Sequence, residues 1–160
     1  MEPKKTNKTF QFSSAVAWEG AKRGTMTHPS HPAVEVGSPP DFRGEPDVWC
    51  PEELLTGSVN TCLMLTFLSY AQHKKLDVLG YESDAVGVLE NADGKYRVTE
   101  IVVRPLILLK SQADIPLAEN ILKDAKDGCF ISNSVLAKVE ITPEFKMGST
   151  HPKLTALLLH

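Results

Sequence analysis

The stretch CPEELLTGSVNTCLMLTFLSYAQ, residues 50–72, constrains this chain more than any other part of it. Pro51 suits a first helical position, and Glu52 and Glu53 favour the positive end of the helix dipole. A helix is therefore predicted from Pro51 to about Lys75. That helix is apolar on most of its sides, and a single sheet covers only one side of such a helix. The uncovered surface calls for more protein, and a second copy of the chain is the natural supplier. The longest apolar run, Val59 to Leu68, is broken by Asn60, Thr61 and Thr66 and reads as too short for a membrane span.

The segments on either side have strand and turn character. TFQFSSAVAWEG alternates Phe10, Phe12, Ala15 and Ala17 with polar neighbours up to Gly20, and KRGTMTH and AVEVG read as short further strands. SPPDFRGEPDVWCPEE, with four prolines, is a long loop carrying Arg43. After the helix, LDVLGYESDAVGVLEN and KYRVTEIVVRPLILLK form two strands joined through Asp93-Gly94, a strong hairpin signal. QADIPLAENILKDAKDG places Ile115, Leu117, Ala118, Ile121, Leu122 and Ala125 at helical spacing, with Gly128 as the stop. FISNSVLAKVEITPEF closes with a strand. Strands that are grouped and hairpin-linked predict an α+β fold with a mainly antiparallel sheet. The length of 160 residues suits one domain over residues 1–160, with residues 1–8 a flexible terminus and the tail KLTALLLH packing on the body or on a partner.

Charge and composition narrow the function classes. A formal charge of -3 with scattered acids offers no basic face, so nucleic acid is not an expected partner, and Lys4, Lys5 and Lys8 read as a solvated end. No signal peptide is visible, and three cysteines without an export signal predict free thiols in a reducing compartment, the cytoplasm. HPSHP at 28–32 lacks a third ligand, and no pair of cysteines has C-x-x-C spacing. Neither a metal nor a cofactor is expected.

The chemistry rests on sulfur. Cys62 lies about three turns into the first helix, and Cys129 follows the second helix directly after Gly128. Either residue can be a small buried hydrophobe. If the two helices pack side by side, Cys129 can instead reach Cys62 and form a redox pair, one thiolate attacking and the other resolving the oxidised product. A thiolate that reduces a peroxide needs its pKa lowered, by an arginine or a helix terminus, and a carboxylate to hold that arginine. Leu63, Met64, Leu65, Phe67 and Leu68 would wall an apolar pocket beside it.

PEELLTGSVNTCLMLTF, with a cysteine ten residues after Glu52, resembles the first-helix motif of the OsmC/Ohr family, the osmotically inducible and organic hydroperoxide resistance proteins. YRVTEIVVRPLI and GCFISNS are similar to that family's hairpin strand and second-cysteine segment, so the likeness runs from about Val16 to Pro143, in the OsmC-like branch. The resemblance implies an intertwined homodimer with antiparallel sheets around two central helices. It also implies a thiol-dependent peroxidase that reduces organic hydroperoxides to alcohols in oxidative or osmotic stress defence. Cys62 would then be the peroxidatic thiol, Cys129 the resolving one, and Glu52 the acid that orients an arginine. Arg23 and Arg43 are the arginine candidates, Arg43 the preferred one, and a dithiol of lipoyl type would return the enzyme to its reduced state. Phe130 stands where many members have proline. Glu52 and Cys62 are separated by about 15 Å of straight helix, so either the helix bends near Gly57 or the site is completed across the dimer. The competing expectations are a non-enzymatic small-molecule binder and a redox sensor on the same fold.

Overall fold

The computed structural model describes residues 8–148. The predicted flexible terminus (but for Lys8) and the apolar tail lie outside the described residues, as do Lys4 and Lys5. The chain forms two compact units, one running through Pro51 and one from Glu52 onward.

The N-terminal unit is an antiparallel meander of β1 (Ala15–Gly20), β2 (Arg23–His28) and β3 (His31–Gly37). Phe10 and Phe12 precede β1 and join no strand, contrary to the alternation read from the sequence. Both are exposed, Phe12 at 96%. Alternation specifies a strand only where a neighbouring edge supplies hydrogen bonds, and the β2 register ends at Ala15 opposite Thr27. The proline-rich segment is a loop with one 3-10 turn, Pro40–Phe42. It is tied back to the sheet where Trp49 N–H donates to Glu35 O at 3.1 Å and Gly37 N–H to Trp49 O at 3.0 Å.

In the second unit, α1 (Pro51–His73) and α2 (Ile115–Gly128) pack on a sheet of β4 (Val78–Ala92), β5 (Lys95–Leu109), β6 (Lys138–Ile141) and β7 (Glu144–Met147). The long β4–β5 hairpin turns at Asp93 and Gly94, whose φ values of 56° and 80° meet the positive-φ demand of a tight hairpin. The core is built from three periodicities. Val59, Leu63, Phe67 and Ala71 form an i, i+4 stripe on α1, and Ala118, Ile121, Leu122 and Ala125 form a stripe on α2. Ile101, Val103, Ile107 and Leu109 alternate along β5.

The closing strand pattern proves to be two short strands, both parallel to β5. Their interruption at Thr142–Pro143 lies opposite Arg104–Pro105, where a continuous ladder would meet two residues without N–H groups. Antiparallel pairing still dominates, and the architecture is α+β.

α1 differs from its sequence reading in one respect. By length and composition it is apolar enough to cross a bilayer, with a mean hydropathy of 1.3 over its best 18-residue window. Of the polar interruptions, Thr66 donates its hydroxyl to Cys62 O at 2.8 Å, and Asn60 Oδ1 accepts from the Ser83 hydroxyl of β4 at 2.6 Å. The stripe from Val59 to Ala71 is buried in the core, which makes α1 a core helix. Its other sides are incompletely covered within one chain, and Leu65 is exposed.

Candidate functional site

Cys62, Thr66 and Tyr70 recur every four residues and so occupy one face of α1, with Lys74 just past its end. The end of α2 meets that face. Lys74 pairs with Asp124, and Tyr70 lies against Gly128, where an added Cβ would come within 2.3 Å of the phenol oxygen. α2 ends at Gly128 as expected; the glycine serves close approach, since its φ is not positive, and Cys129 caps α2 in extended backbone at φ −74°, ψ 112°. The next residue, Cys129, is thereby brought to Cys62, and the two side chains hydrogen-bond to each other.

The chain after Cys129 folds into a tight turn. Asn133 N–H donates to Cys129 O at 3.0 Å, and Ser134 N–H to Ile131 O at 2.9 Å. Ser134 Oγ donates to Phe130 O at 2.7 Å, and Asn133 Nδ2 to Asp127 O at 2.8 Å. Ser132 N–H donates to Cys129 Sγ at 3.4 Å, while the Ser132 hydroxyl faces the same sulfur without reaching hydrogen-bond geometry. The carbonyls of Cys129, Phe130 and Ile131 are engaged within the turn. The backbone of Phe130 and Ile131 lies on the Cys62 side of the turn and acts to lower the Cys62 pKa.

These contacts separate the two thiols. Partial burial pushes the Cys62 thiol up, but the bonds from the Cys129 side chain, the Ile131 amide, the Thr66 hydroxyl and the Phe130 amide outweigh it, and its pKa is lowered. Burial and the bond to Cys62 push the Cys129 thiol up, with Ser132 opposing weakly. A thiolate at 62 beside a neutral, fully buried thiol at 129 is an arrangement that oxidation can convert to a disulfide. Both cysteines are free here.

The other sequence-derived residues are not gathered as closely. Glu52 sits in the first turn of α1 with Oε2 buried and unpartnered among the described residues. α1 runs unbroken through Gly57, so the bend that would have brought Glu52 to Cys62 along one helix is absent. Arg23 and Arg43 belong to the N-terminal unit. Arg23 is engaged by Glu35 at 2.9 Å, by Glu45 and by Asp47 at 3.6 Å; these acids, led by Glu35, push its already high pKa further up. Arg43 caps the Pro40–Phe42 turn with φ 59° and is exposed, and its guanidinium makes no ion pair among the described residues.

Sequence reasoning missed Thr66, Tyr70 and the Phe130–Ile131 amides. The two side chains carried a signal, their four- and eight-residue spacing from Cys62, whereas backbone amides have no residue-type signature. His28 and His31 pair across the β2–β3 turn with ring centroids 4.4 Å apart. Among the described residues no cluster of three potential metal ligands occurs. Cys50 is buried.

Comparison with known proteins agrees with this construction. The family model for OsmC-like proteins matches residues 44–144. The uncharacterized protein YmaD of Bacillus subtilis is 26% identical over 131 residues, covering 79% of this chain and 87% of that protein. An OsmC-like protein of unknown function from Vibrio cholerae superposes with a TM-score of 0.79 at 25% identity, over 85% of this chain and all of the other. An organic hydroperoxide resistance protein from Elizabethkingia anophelis shares the fold with a TM-score of 0.69 at 16% identity, over 88% of this chain and all of that one. The chain therefore belongs to the family of OsmC-like proteins.

Proposed function

We propose that this protein is a thiol-dependent peroxidase that reduces organic hydroperoxides in the cytoplasm. The observation that carries the reading is the hydrogen-bonded pair of Cys62, its pKa lowered, and Cys129, its pKa raised. The Cys62 thiolate attacks the terminal peroxide oxygen, the O–O bond breaks, and the alkoxide leaves as ROH after taking up a proton. Cys62 is left as a sulfenic acid. Cys129 then attacks the Cys62 sulfur, the S–O bond breaks, water leaves, and a Cys62–Cys129 disulfide forms. A dithiol reductant of lipoyl type restores both thiols by exchange and is itself oxidised to its disulfide.

Glu52 and an arginine complete the site in this reading. The unpartnered Glu52 Oε2 favours a guanidinium arriving from elsewhere, and about 15 Å of helix between Glu52 and Cys62 favours a site finished across a homodimer. Exposed Trp18, Leu65 and Val86 support the same dimer. Arg43, which makes no ion pair among the described residues, is the better candidate than Arg23, which three acids already hold. Steady-state consumption of an organic hydroperoxide with dihydrolipoamide as reductant tests the reading. Turnover abolished by Cys62→Ser supports it. Disulfide formation without turnover would instead indicate a redox sensor, and no reaction at Cys62 a small-molecule binder.

A further inference from the structure

The second step of the proposed reaction needs charge on a sulfur that water does not reach within the chain, since Cys129 is fully buried. An ion forming there depends on the donors around it. The turn that follows supplies one of them. Cys129 has extended backbone, its carbonyl accepts from Asn133 N–H at 3.0 Å, and its Sγ accepts from Ser132 N–H at 3.4 Å. A serine, threonine or aspartate oxygen usually opens a helical turn in this way, and here sulfur takes the oxygen's place. Asn133 Nδ2 on Asp127 O at 2.8 Å and Ser134 Oγ on Phe130 O at 2.7 Å hold the turn from both sides. Ser132 is therefore fixed against the sulfur by bonds that its own side chain does not make. Its Oγ is buried, faces Cys129 Sγ and has no hydrogen-bond partner among the described residues. A buried hydroxyl without a partner is costly, and a partner that arises only during the reaction accounts for it.

We propose that Ser132 is a positioning residue for the resolving step: its N–H aims Cys129 Sγ, and its hydroxyl donates to that sulfur as it becomes a thiolate. This deepens the hydroperoxide reading and rests on it for the sulfenic acid that Cys129 attacks. In that step the Cys129 thiol loses its proton, the Sγ–Sγ bond forms, the S–O bond at Cys62 breaks, and the hydroxide takes up the proton and leaves as water. The same donor serves the return to the reduced state, when a dithiol attacks Cys62 Sγ, the S–S bond breaks and Cys129 leaves as the thiolate. Ser132 thus governs resolution and not the first attack by Cys62.

The two steps can be read apart in one experiment. The reduced full chain is mixed with a slight excess of an organic hydroperoxide and an excess of dimedone, which competes with Cys129 for the sulfenic acid. Peroxide lost in the first turnover reads the attack by Cys62. The ratio of dimedone adduct at Cys62 to Cys62–Cys129 disulfide, from peptide mass spectrometry, reads resolution. Ser132→Ala should leave the first rate as in the parent and raise the ratio about tenfold, the worth of one hydrogen bond to a charged group. Ser132→Thr keeps the hydroxyl and should stay near the parent, whereas Ser132→Val, of the same shape, should behave like Ser132→Ala; this pair decides the matter if alanine loosens the turn. The proposal is overturned if Ser132→Ala gives the parent's ratio, if the valine and threonine variants agree, or if the first rate falls as much as the ratio rises. Diamide gives a second arm without peroxide: the Cys62 thiolate adds to its N=N bond, and Cys129 then displaces the hydrazine to close the same disulfide. A parent that does not react with hydroperoxide ends the peroxidase reading, while the valine and threonine variants under diamide still test Ser132.

Discussion

The Cys129 thiol hydrogen-bonds to the Cys62 sulfur, and the contact acts on the two residues in opposite directions. A proton shared between two sulfurs settles on the one with fewer other donors. The Ile131 and Phe130 backbone also lowers Cys62, whereas Cys129 has only Ser132 against its complete burial. Limiting iodoacetamide at neutral pH should therefore modify Cys62 well before Cys129 or buried Cys50. The midpoint of its pH profile should fall below the ordinary thiol range of about 8.5. Cys129→Ala deletes a donor to the thiolate and should raise that midpoint, while Cys129→Ser, which keeps a donor, should raise it less. Peptide mass spectrometry of the alkylated chain gives both quantities.

Tyr70 and Gly128 set the approach of the two helices. Gly128→Ala would put a methyl group 2.3 Å from the Tyr70 hydroxyl and 3.1 Å from its ring carbon. Urea denaturation should show a loss of about 1–3 kcal/mol, the usual penalty for overpacking. Adding Tyr70→Phe removes the nearer of these atoms and should recover part of the loss. Equal, additive effects of the two substitutions would mean that the contact does not limit the packing.

Tyr81 has a buried hydroxyl without a hydrogen-bond partner among the described residues, because the Ser83 hydroxyl is turned to Asn60 Oδ1 at 2.6 Å. Burial pushes its phenol up to about 12, the Ser83 side chain opposing weakly. The folded state thus favours the neutral phenol. Its contribution to stability is complete below the unfolded value of about 10 and is lost as the pH rises through about 12. Tyr81→Phe should be neutral or stabilising at pH 7, and at pH 11 it should spare the fold a loss of about 1 kcal/mol that the parent suffers. Denaturation curves at the two pH values check both.

Much of this was legible in the residues. Asp93-Gly94 specifies its hairpin through positive φ, and the α2 stripe follows from spacing alone. The Cys62–Cys129 pairing was conditional on helix packing, and the Tyr70–Gly128 contact supplies that condition. What stayed hidden depended on long-range partners. Phe10 and Phe12 alternate like a strand but lack an edge to pair with among the described residues. The parallel β6 and β7 depend on where the break at Pro143 falls against Pro105.

The dimer is a further expectation to be measured. Leu65, exposed on α1 within one chain, would be covered by the partner's residues. Light scattering should give twice the chain mass of 17.6 kDa, and Leu65→Asp should shift the assembly toward monomer. A monomeric parent at micromolar concentration would contradict the shared site.

The pairing of the two sulfurs is tested most directly by adding a slight excess of an organic hydroperoxide to the reduced protein and mapping disulfides by mass spectrometry. The expected product is a single intrachain bond joining the peptides of Cys62 and Cys129, formed with loss of two thiols per chain and absent in Cys62→Ser. Thiol loss that persists in Cys62→Ser, or a Cys62 that stays reduced while peroxide remains, would contradict the redox assignment.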